Sequence, residues 1–208
     1  MYLRMKILSG KCKGFSIMTS TVQNVSGYKP TKSIIKEAVF NILRSSSMVL
    51  EKSNFLDVCA GTGACSLEAL SNGINAVTMI EMEKKAYSQI LTNVARFTKI
   101  YVEFSNSIEV IKNDFRNIIP HLKQMYDILY FDPPYEVSIS NVEHISRLLT
   151  RFNIMKEGGM IFYEVPSKDA LNVVKILTES HKQMYNVKQK KYGDTTLIYM
   201  IYRSNMLN

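Results

Sequence analysis

The chain has 208 residues, of which 46% are hydrophobic and 21% charged, values of a globular protein and not of a disordered or membrane-spanning one. Three cysteines (Cys12, Cys59, Cys65) and three scattered histidines, with no Cys-x-x-Cys spacing, argue against a disulfide framework and against a zinc site, so no metal is expected. The net charge of +8 is carried by the ends. Residues 1–44 hold eight Lys/Arg against Glu37, and residues 181–208 hold five against Asp194, while the middle is slightly acidic. Such ends are either solvated faces or surfaces lying beside a polyanion, and nucleic acid is the commonest polyanion in a cytosol.

The opening "MYLRMKILSG" lacks the uninterrupted apolar core of a secretory signal, and no apolar run approaches a membrane span, so a cytoplasmic setting is expected. "MKILS" and "FSIMT" are short β-prone runs around the basic turn "SGKCKG", which predicts a hairpin. This predicts a basic extension over 1–30 and a core over 31–208. "KPTKSIIKEAVFNILRSSS" places Ile34, Ile35, Ala38, Val39, Ile42 and Leu43 at helical spacing and predicts a helix over about Thr31 to Arg44. From Asn54 strands and helices alternate. "NFLDVC" precedes a helix from about Ala64, and "AVTMIE" a helix over Lys84 to Phe97. "YVEFS" precedes a short helix, "YDILYFD" a helix near Ile139 to Thr150, and "GGMIFYEV" a helix near Lys168 to Glu179. Two β-prone runs meet at Gly193-Asp194. Five β-α units and a closing hairpin predict a doubly wound α/β fold whose mostly parallel sheet ends in an antiparallel edge.

In such sheets ligands bind outside the carboxyl ends of the strands. The first such end is "FLDVCAGTGACSLEAL", where Gly61 and Gly63 permit a tight turn and close backbone approach to a ligand before a helix N-terminus. A Gly-x-Gly alone also fits a packing turn, and the full dinucleotide fingerprint wants a third glycine where Ser66 stands. Asp57, inside the strand end, suits the ammonium of S-adenosylmethionine, received directly or through water. It suits a pyrophosphate poorly. Glu81, ending the next strand, can accept both ribose hydroxyls, as it could from a nicotinamide cofactor. "YVEFS", taken as the third strand, puts Asn106 and Ser107 where they could meet the adenine edge. Glu83 reads as a solvated charge, and Cys59 and Cys65 as small apolar packers.

The fourth strand runs into Asp132-Pro133-Pro134-Tyr135. Prolines fix φ and remove N–H groups, so the strand ends in a rigid, acceptor-rich corner. Methylating an exocyclic base amine requires the lone pair, delocalised into the ring, to be drawn into a pyramidal, nucleophilic form. Acceptors aimed at the two N–H bonds, the Asp132 carboxylate and the Pro133 carbonyl, do this, while Tyr135 offers a stacking platform. The alternative is a strand-ending turn in which Asp132 caps backbone and Tyr135 is buried.

"MKILSGKCKGFSI", "KPTKSIIKEAVFNIL", "FLDVCAGTGACSLEALSNG", "MIEME", "YDILYFDPPYE", "YEVP" and "KKYGDTTLIYMIYR" together resemble the RsmD-type methyltransferases over nearly the whole chain. The resemblance implies a Rossmann-like class I fold with a seven-stranded sheet and S-adenosyl-L-methionine as cofactor. It implies methyl transfer to a guanine N2 in bacterial 16S ribosomal RNA, with the small ribosomal subunit or its assembly intermediate as partner. Asp57, Gly61, Gly63 and Glu81 would contact the cofactor, and Asp132 to Tyr135 the amine. Lys11, Lys13, Lys29, Lys32, Lys36, Lys190 and Lys191 are the candidates for gripping phosphate. Lys29 and Lys36 stand where the family usually has arginine, keeping the charge without the planar fork. Met5 falls where family members often begin. Two rivals are a DNA adenine-N6 or cytosine-N4 methyltransferase, for whose recognition domain this chain has little room, and a non-catalytic RNA-binding assembly factor, against which the intact acids and glycines argue. A nicotinamide oxidoreductase is disfavoured, since no acid–base pair stands out near the crevice.

Overall fold

A computed structural model describes residues 5–19, 33–134, 138–180 and 184–203. Lys29, Lys32 and Tyr135 lie outside the described residues. The chain divides into two compact units, Met1–Asp114 and Phe115–Asn208.

In the first unit, β1 (Met5–Lys6) pairs antiparallel with β2 (Ser16–Ile17), a hairpin shorter than its β-prone runs. It is followed by α1 (Ser33–Arg44), then β3 (Asn54–Val58), α2 (Ala64–Ser71), β4 (Ala76–Glu81), α3 (Lys84–Ile100) and β5 (Ile108–Lys112). The three strands are parallel in the order β5-β4-β3, with Asp57 in register with Met79 and Glu81 with Lys112. Phe55, Leu56, Val58, Val77, Met79 and Ile80 are all buried, the continuous apolar run expected of strands covered on both faces. Every residue of α2 is buried, Glu68 included. α3 instead buries one stripe, Ala86, Gln89, Ile90, Asn93 and Phe97, at helical spacing. Glu83 is its N-cap, accepting from the Ala86 N–H at 2.8 Å, so it is more than the solvated charge expected.

The second unit holds α4 (Phe115–Ile118), β6 (Tyr126–Phe131), α5 (Ser138–Phe152), β7 (Met155–Pro166), α6 (Ala170–Ser180), β8 (Met184–Tyr192) and β9 (Thr195–Tyr202). β6 runs parallel to β7, β9 inserts antiparallel beside β7, and β8 lies outside it, giving β6-β7-β9-β8. The aromatic strands carry polar atoms inside, and these are paired: the Tyr130 hydroxyl donates to Glu164 at 2.6 Å, and Ser146 and Tyr163 share a 3.0 Å bond. Among the described residues the main sheet has seven strands, mostly parallel with an antiparallel C-terminal hairpin, beside the small N-terminal sheet. This is the fold class expected.

Candidate active site

The first unit concentrates left-handed backbone in the turn between β3 and α2. Cys59, Gly61 and Gly63 have φ of 65°, 61° and 74°. Gly63 needs its hydrogen twice over: a Cβ there would be strained in φ and would stand 3.0 Å from Met79 Sδ. Cys59 adopts the same region with a side chain, at a cost of roughly 1–2 kcal/mol, and is half-buried while Cys65 is buried. The turn is held by Ala60 N–H to the Ile80 carbonyl (3.1 Å) and Gly63 N–H to the Ala60 carbonyl (2.8 Å).

Glu81 is the acid that defines this turn. Its Oε2 accepts from the Gly61 N–H at 2.9 Å and its Oε1 from the Glu83 N–H at 2.8 Å. Burial pushes its carboxyl above the ordinary range, and the bonded N–H groups oppose that. Each oxygen keeps acceptor capacity beyond these bonds. Asp57 is 1% exposed, and Ser66 Oγ donates to its Oδ2 at 2.6 Å. Burial pushes the Asp57 carboxyl up to about 7, the Ser66 hydroxyl pulls it back, and the nearby Glu81 charge adds to the rise. Ser66 is thus a site residue that sequence reasoning noted only as a missing glycine. In the first turn of α2, it bonds back to Asp57 of β3. Two bonded groups thus stand at this end of β3 and β4: Asp57 with Ser66, and Glu81 with the Gly61 and Glu83 N–H groups, with Gly63 closing the turn between strand and helix.

Asn106 and Ser107 do not join it. "YVEFS" is no strand: Val102–Phe104 is a 3-10 turn, with the Phe104 ring stacked 5.5 Å from Phe97, and β5 begins only at Ile108. Asn106 and Ser107 precede the strand, where the Ser107 carbonyl accepts from Val77 N–H at the start of β4. That is the opposite end of a parallel sheet from Glu81. The residues at the carboxyl end are Asn113 and Asp114. The Asn113 N–H donates to the Glu81 carbonyl at 3.2 Å, and its Oδ1 accepts from the Asp114 N–H at 2.8 Å.

Lys36 is also displaced from its expected role. It is 1% exposed, its ammonium 3.6 Å from Glu68 Oε2 and 3.4 Å from the Lys6 carbonyl. An ammonium buried between α1 and α2 cannot present itself to phosphate. Lys11 and Lys13 are exposed on the hairpin turn, Lys11 paired with Glu103 at 2.6 Å. In the second unit Lys190 and Lys191 are exposed on the edge strand β8.

The same unit carries the proline corner. β6 ends at Phe131, which is in register with Tyr163 and fully buried. Its ring packs edge-on against Phe115 (5.3 Å) and Tyr163 (6.0 Å), so the last strand residue before the corner is fixed on two sides. Asp132 is half-buried, Pro133 buried and Pro134 exposed. Among the described residues no group of three His, Cys, Asp or Glu could hold a metal ion, and no helix is long and apolar enough to cross a membrane.

The family described as Conserved hypothetical protein 95 matches residues 5–201. The chain belongs to this family. It is the RsmD family that the motifs resemble. The Ribosomal RNA small subunit methyltransferase D of Buchnera aphidicola subsp. Baizongia pistaciae is 30% identical over 189 residues, which cover 89% of this chain and 86% of that protein. Its Escherichia coli namesake is 24% identical over 180 residues, 86% of this chain and 84% of that one. A solved Escherichia coli structure described as a methyltransferase superposes with a TM-score of 0.75 at 20% identity, over 97% and 99% of the two chains, and shares the fold.

Proposed function

We propose that the protein is an S-adenosylmethionine-dependent methyltransferase acting on the exocyclic N2 of a guanosine in bacterial 16S ribosomal RNA. The observation that carries this reading is the Asp57–glycine turn–Glu81 cluster in a chain whose relatives are named small-subunit ribosomal RNA methyltransferases. The cluster fits the cofactor. Gly61 and Gly63, both at positive φ, make the tight turn that lets backbone approach a ligand closely, and Glu81 retains acceptor positions for a pair of ribose hydroxyls. Asp57 supplies a carboxylate for an ammonium, directly or through water. Bound there, the cofactor would supply an electrophilic sulfonium methyl. Asn113 and Asp114, at the carboxyl end of β5, take over the adenine-edge role first expected of Asn106 and Ser107.

The rest of the reading concerns this chain's own groups. The Asp132 carboxylate and the Pro133 carbonyl accept the two N–H bonds of the target amine and draw its lone pair out of conjugation. Pro133 and Pro134 keep those acceptors from relaxing, and Tyr135 stacks on the base. Lys11, Lys13, Lys29 and Lys32 of the N-terminal region and Lys190 and Lys191 of β8 hold phosphates of an RNA whose own structure already splays out the target base. The small subunit or its assembly intermediate, in the cytoplasm, is the partner this implies.

Transfer of labelled methyl groups to small subunits, naked ribosomal RNA and DNA, followed by mapping of the modified base, tests the proposal. The expected product is N2-methylguanine in 16S RNA. Label in DNA, or in no nucleic acid, would overturn it.

A further inference from the structure

Asn93 has no part in the roles assigned above, yet it is completely buried in α3 and its amide is fully engaged. Its Oδ1 accepts from the Met18 N–H at 2.9 Å and its Nδ2 donates to the Met18 carbonyl at 3.0 Å, the pairing a neighbouring strand would make. The second Nδ2 proton goes to the carbonyl of Thr62, the middle residue of the glycine turn, at 3.0 Å. Both donors are therefore committed, one to the hairpin and one to the turn whose next N–H back, at Gly61, is pinned to Glu81. Adjacent positions of α3 strengthen the hairpin contact. Arg96 donates to the Ser16 carbonyl at 2.9 Å and lies 5.4 Å over the Phe15 ring, which packs edge-on against Phe97 at 5.2 Å.

We infer that Asn93 is a positioning residue that couples docking of the basic hairpin to the cofactor-binding shape of the Gly61–Gly63 turn. The inference rests on that turn being the cofactor site. A half-satisfied buried amide is costly. If the hairpin lifts, Asn93 is left with an orphaned oxygen and N–H in the interior, and turning to satisfy them withdraws it from Thr62. Hairpin departure and loosening of the turn therefore occur together. By linkage the influence is mutual: a ligand that stiffens the turn holds the hairpin down, and RNA phosphates on Lys11 and Lys13 help to retain the cofactor.

Hydrogen exchange of peptides within residues 5–19, with and without saturating S-adenosylhomocysteine, tests this in the parent and in Asn93→Ser. In the parent the ligand is expected to slow exchange in the hairpin by about fivefold or more, the lower end of ordinary coupling between sites. In Asn93→Ser that ligand-dependent protection disappears, which a purely structural residue would not produce, since general loosening speeds exchange with and without ligand. Phe15→Ala supplies the reverse measurement and stands in should Asn93→Ser not fold. Removing a hairpin ring that packs on α3 but does not touch the Gly61–Gly63 turn, it should weaken S-adenosylhomocysteine binding by about fivefold or more by calorimetry. Hairpin exchange in the parent that ignores the bound ligand, or an unchanged Kd in Phe15→Ala, would overturn the coupling. A parent that binds no S-adenosylhomocysteine would instead overturn the cofactor reading itself.

Discussion

Replacing Glu68 by glutamine should destabilise the first unit out of proportion to the single heavy atom changed. Glu68 is 1% exposed, and its carboxylate accepts from the Leu8 N–H (2.8 Å), the Ser9 N–H (2.8 Å) and the Ser9 hydroxyl (3.0 Å) while facing the Lys36 ammonium at 3.6 Å. In Glu68→Gln an amide NH2 would replace the oxygen facing Leu8 N–H and Lys36, setting donor against donor and leaving the ammonium without its counter-charge. Both partners are buried, so water screens little of this. Removing one member of such a pair typically costs about 3–5 kcal/mol, a large share of a total stability of roughly 5–15 kcal/mol. Lys36→Met should cost less, on the order of 1–3 kcal/mol, because Glu68 keeps its three neutral donors. The double variant should be more stable than Glu68→Gln alone, since no orphaned ammonium remains. The chain has no tryptophan, so urea unfolding is best followed by far-ultraviolet circular dichroism. With a slope of about 2–3 kcal/mol per molar urea, the Glu68→Gln midpoint should fall by more than about 1 M. A loss below about 1 kcal/mol, or a double variant no better than Glu68→Gln, would refute the view of Lys36 as an internal counter-ion.

Three further outcomes follow from the site. Asp57 has its carboxyl raised to about 7, so the folded protein without cofactor binds a proton that the unfolded chain releases near 4; its contribution to stability is full below pH 4 and is lost as pH rises through 7. If the carboxylate receives the cofactor's ammonium, S-adenosylhomocysteine should bind about tenfold tighter at pH 8 than at pH 6, and Asp57→Asn should flatten that profile; calorimetric affinities that stay level or fall with pH in the parent would exclude the role. Asp132→Ala should abolish methyl transfer in single-turnover assays while leaving S-adenosylhomocysteine affinity unchanged, and turnover near the parent rate would remove Asp132 from the chemistry. Changing Lys11 and Lys13 to Glu should weaken RNA binding and reduce the slope of log affinity against log salt by about 1.5, as loss of two phosphate contacts requires; an equal loss of cofactor affinity would mean that these lysines act through folding.

The glycine-turn group of the candidate site was legible because its parts are local. An acid one residue before the strand's end, two glycines with left-handed φ and a helix start occupy the ten residues from Asp57 to Ser66, and Glu81 closes the next repeat of the same pattern. β5 was misplaced because propensity and register compete there. "YVEFS" has strand composition, but Phe104 is needed on the Phe97 ring, so the chain turns first and extends afterwards. Alternation in "IEVIK", stopped by Asn113-Asp114, was the better signal, and it puts the strand's carboxyl end one turn further along.

Lys36 failed for a different reason. Helical spacing shows that it neighbours Ile35 and Val39, but not that an acid lies opposite, since Glu68 is 32 positions away. The clue was on the other partner: in "ACSLEALS" a lone carboxylate sits in a helix with no polar face, and such a group is buried only with a partner. Asn93 is hidden for the same reason, one amide serving two segments remote in sequence. Residues of the candidate ligand site are gathered at strand ends by the fold's own repeat, and their spacing betrays them. Residues that fasten the basic hairpin to α2 and α3 are chosen by tertiary contact alone: Glu68, Ser71, Asn93 and Arg96 on one side, Leu8, Ser9, Cys12, Ser16 and Met18 on the other. Most of the bonded groups on the hairpin side are backbone N–H and C=O, which leave no mark in the sequence, so the hairpin's composition reveals its charge but not its anchorage.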